Sequence, residues 1–293
     1  MNNFYKSVFS EIKQAPQARY KLMKSVSSHL DGRTLVCFCT SFSHPVNITD
    51  DDADMLQSVL QASDASKGLA LLVSSPGGDG LAAERIVNIC RSHSGTNDYW
   101  AIVPGKAKSA ATIICMGASQ IWMAPSSELG PVDPQIIKTE DGKRKVFSAH
   151  ALVTGFDTLF NDAINCKGKL EPYLQQLQYY DHREINTYRS LIDLAENIAV
   201  KALKSGMLAG KTDEKIKEAE VFLNPSAGTL AHGRPIYAPE AEACGLKIKH
   251  LDVNSVVWRD TYELYVRLEK FVSMQACKTV ASIKESFHVQ APQ

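Results

Sequence analysis

Short apolar runs alternate with stretches of helical spacing through the first half of the chain, and this rhythm restricts the fold more than any other feature. Thr34 to Cys39 is β-branched and apolar between turn residues and reads as a strand. The acidic run Asp50 to Asp52 suits the N-terminus of a helix from about Asp51 to Ala62. A second run, Gly68 to Ser74, stops at Ser75-Pro76-Gly77-Gly78, and helical spacing resumes at Leu81, Ala82, Ile86, Ile89 and Cys90. Trp100 to Val103 is a third strand ended by Pro104-Gly105, Ser109 to Gly117 follows as a helix, and Gln120 to Ala124 as a fourth strand. Strands and helices in this order need right-handed crossovers, so the fold class is α/β with a mainly parallel sheet.

The pattern changes beyond Pro134. Ile136 to Val146 carries Asp141-Gly142 between two β-capable runs, a hairpin signal. Helical segments then dominate at 150–165, 182–205 and 212–223, followed by a loop from Asn224 to Pro239. A short helix closed by Gly245, a strand from Lys247 to Leu251 and a helix from Asn254 to Met274 complete the order, with a frayed end from Ser282. The expected organisation is an N-terminal helical segment (1–32), an α/β core (33–148), a helical extension (149–281) and a flexible tail (282–293). In the extension, Ile185, Tyr188, Ile192, Ala195 and Ala199 recur at helical spacing and read as a packing stripe.

Composition narrows the function classes. Lys+Arg and Asp+Glu both total 32 in 293 residues, so no net charge draws the chain to a nucleic-acid backbone or an anionic membrane surface. No apolar run reaches the roughly 18 residues of a membrane span. Met1 to Lys24 mixes Lys, Gln and Glu with its apolar residues and lacks the core of an export signal, so a soluble, cytoplasmic protein is expected. The seven cysteines are scattered without a Cys-x-x-Cys pair and read as reduced core thiols; Cys37 and Cys39 share one face of their strand. With no Walker-type phosphate loop and no His-Glu-x-x-His pair, neither a nucleotide, another cofactor nor a metal is expected.

Two strand-to-helix junctions carry the chemistry. After a buried strand, the bare backbone of Gly77 and Gly78 either makes a tight turn or aims its N–H groups into a cleft as an oxyanion hole. Ser109, among the small residues Ala107, Ala110 and Ala111, is either a helix N-cap or a nucleophile at the positive end of that helix. Neither junction decides the matter alone.

Together, Ser75-Pro76-Gly77-Gly78, Ala107-Lys108-Ser109-Ala110-Ala111-Thr112 and Ser127-Glu128-Leu129-Gly130-Pro131-Val132-Asp133-Pro134-Gln135 resemble the serine dehydrogenase proteinase family. That family sits with the signal-peptide-peptidase-like (SppA-like) enzymes in the ClpP/crotonase superfamily. His232-Gly233-Arg234-Pro235-Ile236 and Cys244-Gly245-Leu246 are also similar to it. The resemblance implies stacked ββα units with a C-terminal helical extension, a homo-oligomer, and a serine endopeptidase acting on peptide or unfolded protein. It implies Ser109 as nucleophile and Gly77 and Gly78 as oxyanion glycines.

The general base stays open. Where ClpP-like enzymes carry a histidine downstream of the serine, this chain has Val132-Asp133-Pro134. The lysine of signal-peptide-peptidase-like enzymes has no clear counterpart among Lys138, Lys143, Lys145, Lys167 and Lys169, and a lysine base must be neutral, so its pKa must fall from about 10.4 toward 7. Lys108, Asp133 and His232 are therefore weighed as catalytic partners: Lys108 beside the nucleophile, Asp133 orienting a base or forming a turn before Pro134, and His232 as an imidazole in a Gly-containing loop or as a docking residue. Two rival readings use the same fold, a catalytically lapsed oligomeric scaffold and a crotonase-type acyl-CoA enzyme.

Overall fold

In a computed structural model of the protein, which describes Val8 and residues 16–140, 142–223 and 233–291, the alternating runs build one seven-stranded sheet. In chain order the elements are α1 (Pro16–Ser27), β1 (Thr34–Thr40), α2 (Asp50–Gln61), β2 (Leu69–Ser74), α3 (Gly80–His93), β3 (Tyr99–Val103), β4 (Lys106–Ala107), α4 (Ala110–Met116), β5 (Gln120–Met123) and β6 (Glu128–Leu129). The hairpin β7 (Gln135–Glu140) and β8 (Lys143–Ser148) follows, then α5 (Ala149–Asn165), α6 (Glu171–Leu177), α7 (His182–Ser205), α8 (Asp213–Lys217) and α9 (Glu220–Leu223). The chain closes with β9 (Ile236–Tyr237), α10 (Ala238–Ala243), β10 (Ile248–His250), α11 (Val256–Met274), β11 (Lys278–Ala281) and β12 (Ser286–Val289).

The large sheet runs β10-β5-β3-β2-β1-β11-β12, parallel from β10 to β1 and antiparallel at β11 and β12. Its central strands β1, β2 and β3 are largely apolar because both faces are covered. Val36, Phe38, Leu71, Val73 and Ala101 pack against α2, α3 and α4, while Leu35, Cys37, Cys39, Leu72 and Ile102 pack against α1 and α11. Cys37 and Cys39 thus share a face, and burial pushes the Cys37 thiol up to about 12. No described helix is long and apolar enough to cross a membrane.

A second, small sheet stands over the C-terminal end of β2 and β3. It runs β4-β6-β9, with Ala107 in register with Leu129 and Leu129 with Ile236, and a bridge joins Ser75 to Ala107. Because β4 leaves β3 for this sheet before α4 begins, the chain there follows a strand, strand, helix order. The hairpin expected around Asp141-Gly142 forms as β7 and β8; Asp141 itself lies outside the described residues.

The structure departs from the sequence reading at the C-terminus. Where fraying was expected from Ser282, β12 pairs with β11 and β11 with β1. The Ser282 hydroxyl accepts from the Lys284 and Glu285 amides and fixes the turn between them, so the outer edge of β1 is covered instead of open. The single helix expected over 212–223 is two short ones, α8 and α9. Residues 224–232 of the expected loop lie outside the described residues.

Candidate active site

The two junctions singled out in the sequence meet. Beyond β2 the chain passes through Gly77 (φ 103°) and Gly78 (φ 153°), backbone angles that L side chains rarely adopt. A Cβ on Gly77 would lie 2.6 Å from the Lys108 carbonyl oxygen and 2.8 Å from Ser109 Cβ, so this turn rests directly on the serine. Ile48 fixes it from the other side: its amide donates to the Gly77 carbonyl at 2.8 Å, and its carbonyl accepts from the Asp79 amide at 2.9 Å. Asp79 then caps α3 by accepting from the Leu81 amide.

Ser109 stands in the N-cap place of α4, yet it does not cap. Its backbone (φ 50°, ψ −119°) is far from the extended conformation of an N-cap, and its hydroxyl makes no capping hydrogen bond. The other non-glycine residues with positive φ are Asp31 and Asn97, types that tolerate that region. A serine held there stores strain of about 1–3 kcal/mol, the signature of a sharp strand-to-helix elbow that projects its hydroxyl. That hydroxyl is half-buried in a cleft of about 250 Å³.

The amides around it are not equivalent. The Gly77 N–H donates to Ser75 Oγ at 3.1 Å, inside the turn. Gly78 and Ala110 both line the cleft, and among the described residues their N–H groups meet no acceptor. Two backbone donors are therefore available beside the Ser109 hydroxyl.

Lys108 points elsewhere. Its ammonium donates to Glu128 Oε2 at 2.9 Å and to the Leu129 carbonyl at 3.0 Å, and it does not line the cleft. Burial holds its pKa below the ordinary lysine value, opposed by Glu128 and assisted by the neighbouring Lys106 charge. The Lys108 stem lies against Gly130, where a Cβ would be 2.6 Å from its Cδ. Thr112 completes the clamp: its hydroxyl lies 2.9 Å from the carbonyls of both Ala107 and Gly130 and accepts from the Gly130 amide at 3.1 Å. Glu128, Gly130 and Thr112 so bind the 127–135 segment to the elbow.

That segment then forms a wall of the cleft through Val132, Asp133 and Pro134. Asp133 is 2% exposed and accepts from Gln135 Nε2 at 2.7 Å and Ser148 Oγ at 3.0 Å. No turn forms at Asp133, which lies in an irregular stretch before β7 and presents its carboxylate at the cleft. His232 lies outside the described residues; Ile236, four positions later, sits in β9, two strands away from β4 and the elbow. Lys138 is paired with Glu184, and Lys143 and Lys145 are exposed on the hairpin.

The opposite wall comes from the extension. Leu191, Leu194, Ala195 and Ile198 of α7 face the cleft, so the helix read as a packing stripe packs with one part and lines the site with another. The available signal was in the leucines at 191 and 194, which widen the apolar stripe Ile185, Tyr188, Ile192, Ala195 and Ala199 on one side. The Ala110 amide carried no signal, since a backbone donor has no residue type.

MJ0137 of Methanocaldococcus jannaschii, an uncharacterized protein, is 27% identical over 261 residues, covering 87% of this chain and 79% of that protein. MJ1495 of the same organism, also uncharacterized, is 25% identical over 221 residues; the match covers 74% of this chain and spans 62% of that relative, less than two thirds of its length. Among solved structures, two variants of the 1510-N membrane-bound stomatin-specific protease, one of them in complex with a substrate peptide, are similar at 16% and 17% identity. They cover 75% and 80% of this chain and 98% of their own, each with a TM-score of 0.31. Residues 33–143, which hold the glycine turn, the Ser109 elbow and the 127–135 segment, match the family model for ClpP-like SDH-type serine proteinases.

Proposed function

We propose that the protein is a serine endopeptidase in which Ser109 Oγ attacks the carbonyl carbon of a peptide bond. The oxygen of the resulting tetrahedral intermediate accepts hydrogen bonds from the Gly78 and Ala110 amides. Gly77 shapes the turn that aims the first of these. The intermediate collapses to a Ser109 ester with release of the amine, and water hydrolyses the ester to regenerate the hydroxyl.

The attack needs a group to take the Ser109 proton and later give it to the leaving amine. His232 is proposed for this, with Asp133 holding its ring. In support, Asp133 lines the cleft, and β9, which starts four residues after position 232, pairs with β6, the neighbour of β4. Lys108, tied to Glu128 and Leu129, is assigned to fixing the elbow.

One observation carries the reading: a serine in a strained, non-capping conformation, in contact with a glycine turn, opens on a cleft with two unengaged amides. Ser109→Ala should abolish hydrolysis of an unfolded protein such as casein and end labelling by a fluorophosphonate, while thermal unfolding changes little. His232→Ala should slow labelling by about 10²–10⁴-fold. Full activity in Ser109→Ala would refute the assignment.

A further inference from the structure

The cleft beside Ser109 has a chemical character of its own. Its floor is made by Ile113, Val132 and Ile198, which are 1%, 4% and 2% exposed, so it is apolar and closely packed. Its rim is made by Leu81, Leu191 and Leu194, which are 53%, 37% and 42% exposed. Three leucines left open around one concavity leave apolar surface in water that a bound apolar group would cover. Among the described residues, no lysine, arginine or histidine lines the space. Its two carboxylates serve the chain itself: Asp79 accepts from the Leu81 amide, and Asp133 from Gln135 and Ser148.

We infer that this cleft receives the side chain next to the scissile bond, that the preferred side chain is aliphatic, and that Leu191 and Ala195 of α7 set its size. The inference rests on Ser109 being the nucleophile. An acidic side chain would meet the carboxylates of Asp79 and Asp133. A basic one would bury its charge against leucines and find both carboxylates already hydrogen-bonded. Ala195 is the smallest side chain on the α7 wall, and enlarging it subtracts directly from the cleft; trimming Leu191 opens the rim.

Dipeptidyl diphenyl phosphonates that differ only in the side chain next to phosphorus test this without knowledge of a natural substrate. The Ser109 oxygen bonds to phosphorus and phenol departs with the hydroxyl proton, and mass spectrometry times the adduct. The leucine probe should label at least about tenfold faster than the aspartate and lysine probes. Ala195→Phe should lower the leucine-to-alanine rate ratio about tenfold, and Leu191→Ala should raise the phenylalanine-to-leucine ratio. Equal rates for the leucine, aspartate and lysine probes, or ratios unmoved in both variants, overturn the pocket. If a small alkyl fluorophosphonate labels Ser109 while the phosphonates do not discriminate, the pocket alone falls; if it fails too, the nucleophile assignment falls and the pocket with it.

Discussion

Gly77 shows how little freedom the site has at the scale of one residue. Its φ of 103° and the proximity of the Lys108 carbonyl oxygen mean that a methyl group has nowhere to go, because its nearest neighbour is backbone rather than a flexible side chain. Gly77→Ala should lower unfolding free energy by about 2 kcal/mol or more in a urea titration and eliminate fluorophosphonate labelling, since the turn and the serine must move apart. The glycines and Ser109 were legible because each residue type answers a local need: glycine for positive φ, small neighbours for close approach. The strain at Ser109 was not legible, because serine is an ordinary N-cap and only the backbone dihedral separates the two cases. Nor could the sequence show that Lys108 turns away, since that depends on Glu128, twenty residues on and brought alongside by the pairing of β4 with β6.

Elements that bury an apolar face were read well, and elements defined by pairing alone were not. The long helix expected at 182–205 is α7, His182–Ser205, and the strand expected at 34–39 is β1, Thr34–Thr40. By contrast β4, β6 and β9 have two residues each, too short for any periodicity, although they position the elbow. The strand β11 was hidden by its lysine. Lys278 is 7% exposed and its ammonium donates to Asp52 Oδ2 at 2.7 Å and to Thr49 Oγ1 at 3.1 Å, a buried ion pair between β11 and the first turn of α2. Asp52 is fully buried, and its second oxygen has no hydrogen-bond partner among the described residues. Lys278→Met should therefore strand a buried carboxylate and destabilise the protein by about 3–5 kcal/mol. Adding Asp52→Asn should recover much of that loss in thermal and urea unfolding, because the uncompensated charge is then gone.

For the molecule as a whole, stability should depend on pH through a carboxyl behind the glycine turn. Glu269 of α11 accepts from Ser74 Oγ at 2.6 Å, at the end of β2. Burial raises its pKa above the ordinary glutamate value, opposed by the Ser74 hydrogen bond and the Lys106 charge. The folded chain then keeps this proton to higher pH than the unfolded chain does. Stability from this group is whole below the unfolded glutamate value and declines as pH rises through the raised folded value. Glu269→Gln, which can still accept from Ser74, should be more stable than the parent at neutral pH and should flatten that decline in urea titrations across the range.

The wall contributed by α7 has a consequence for how such proteins diversify. Ser109 and the Gly78 and Ala110 amides lie within residues 33–143, whereas two of the three leucines at the opening, Leu191 and Leu194, come from a helix some fifty positions beyond that stretch. Under the function proposed above, reaction and appetite are largely encoded in separate parts of the chain. Exchange of a single helical segment could redirect which polypeptides are cut while leaving the cutting machinery untouched.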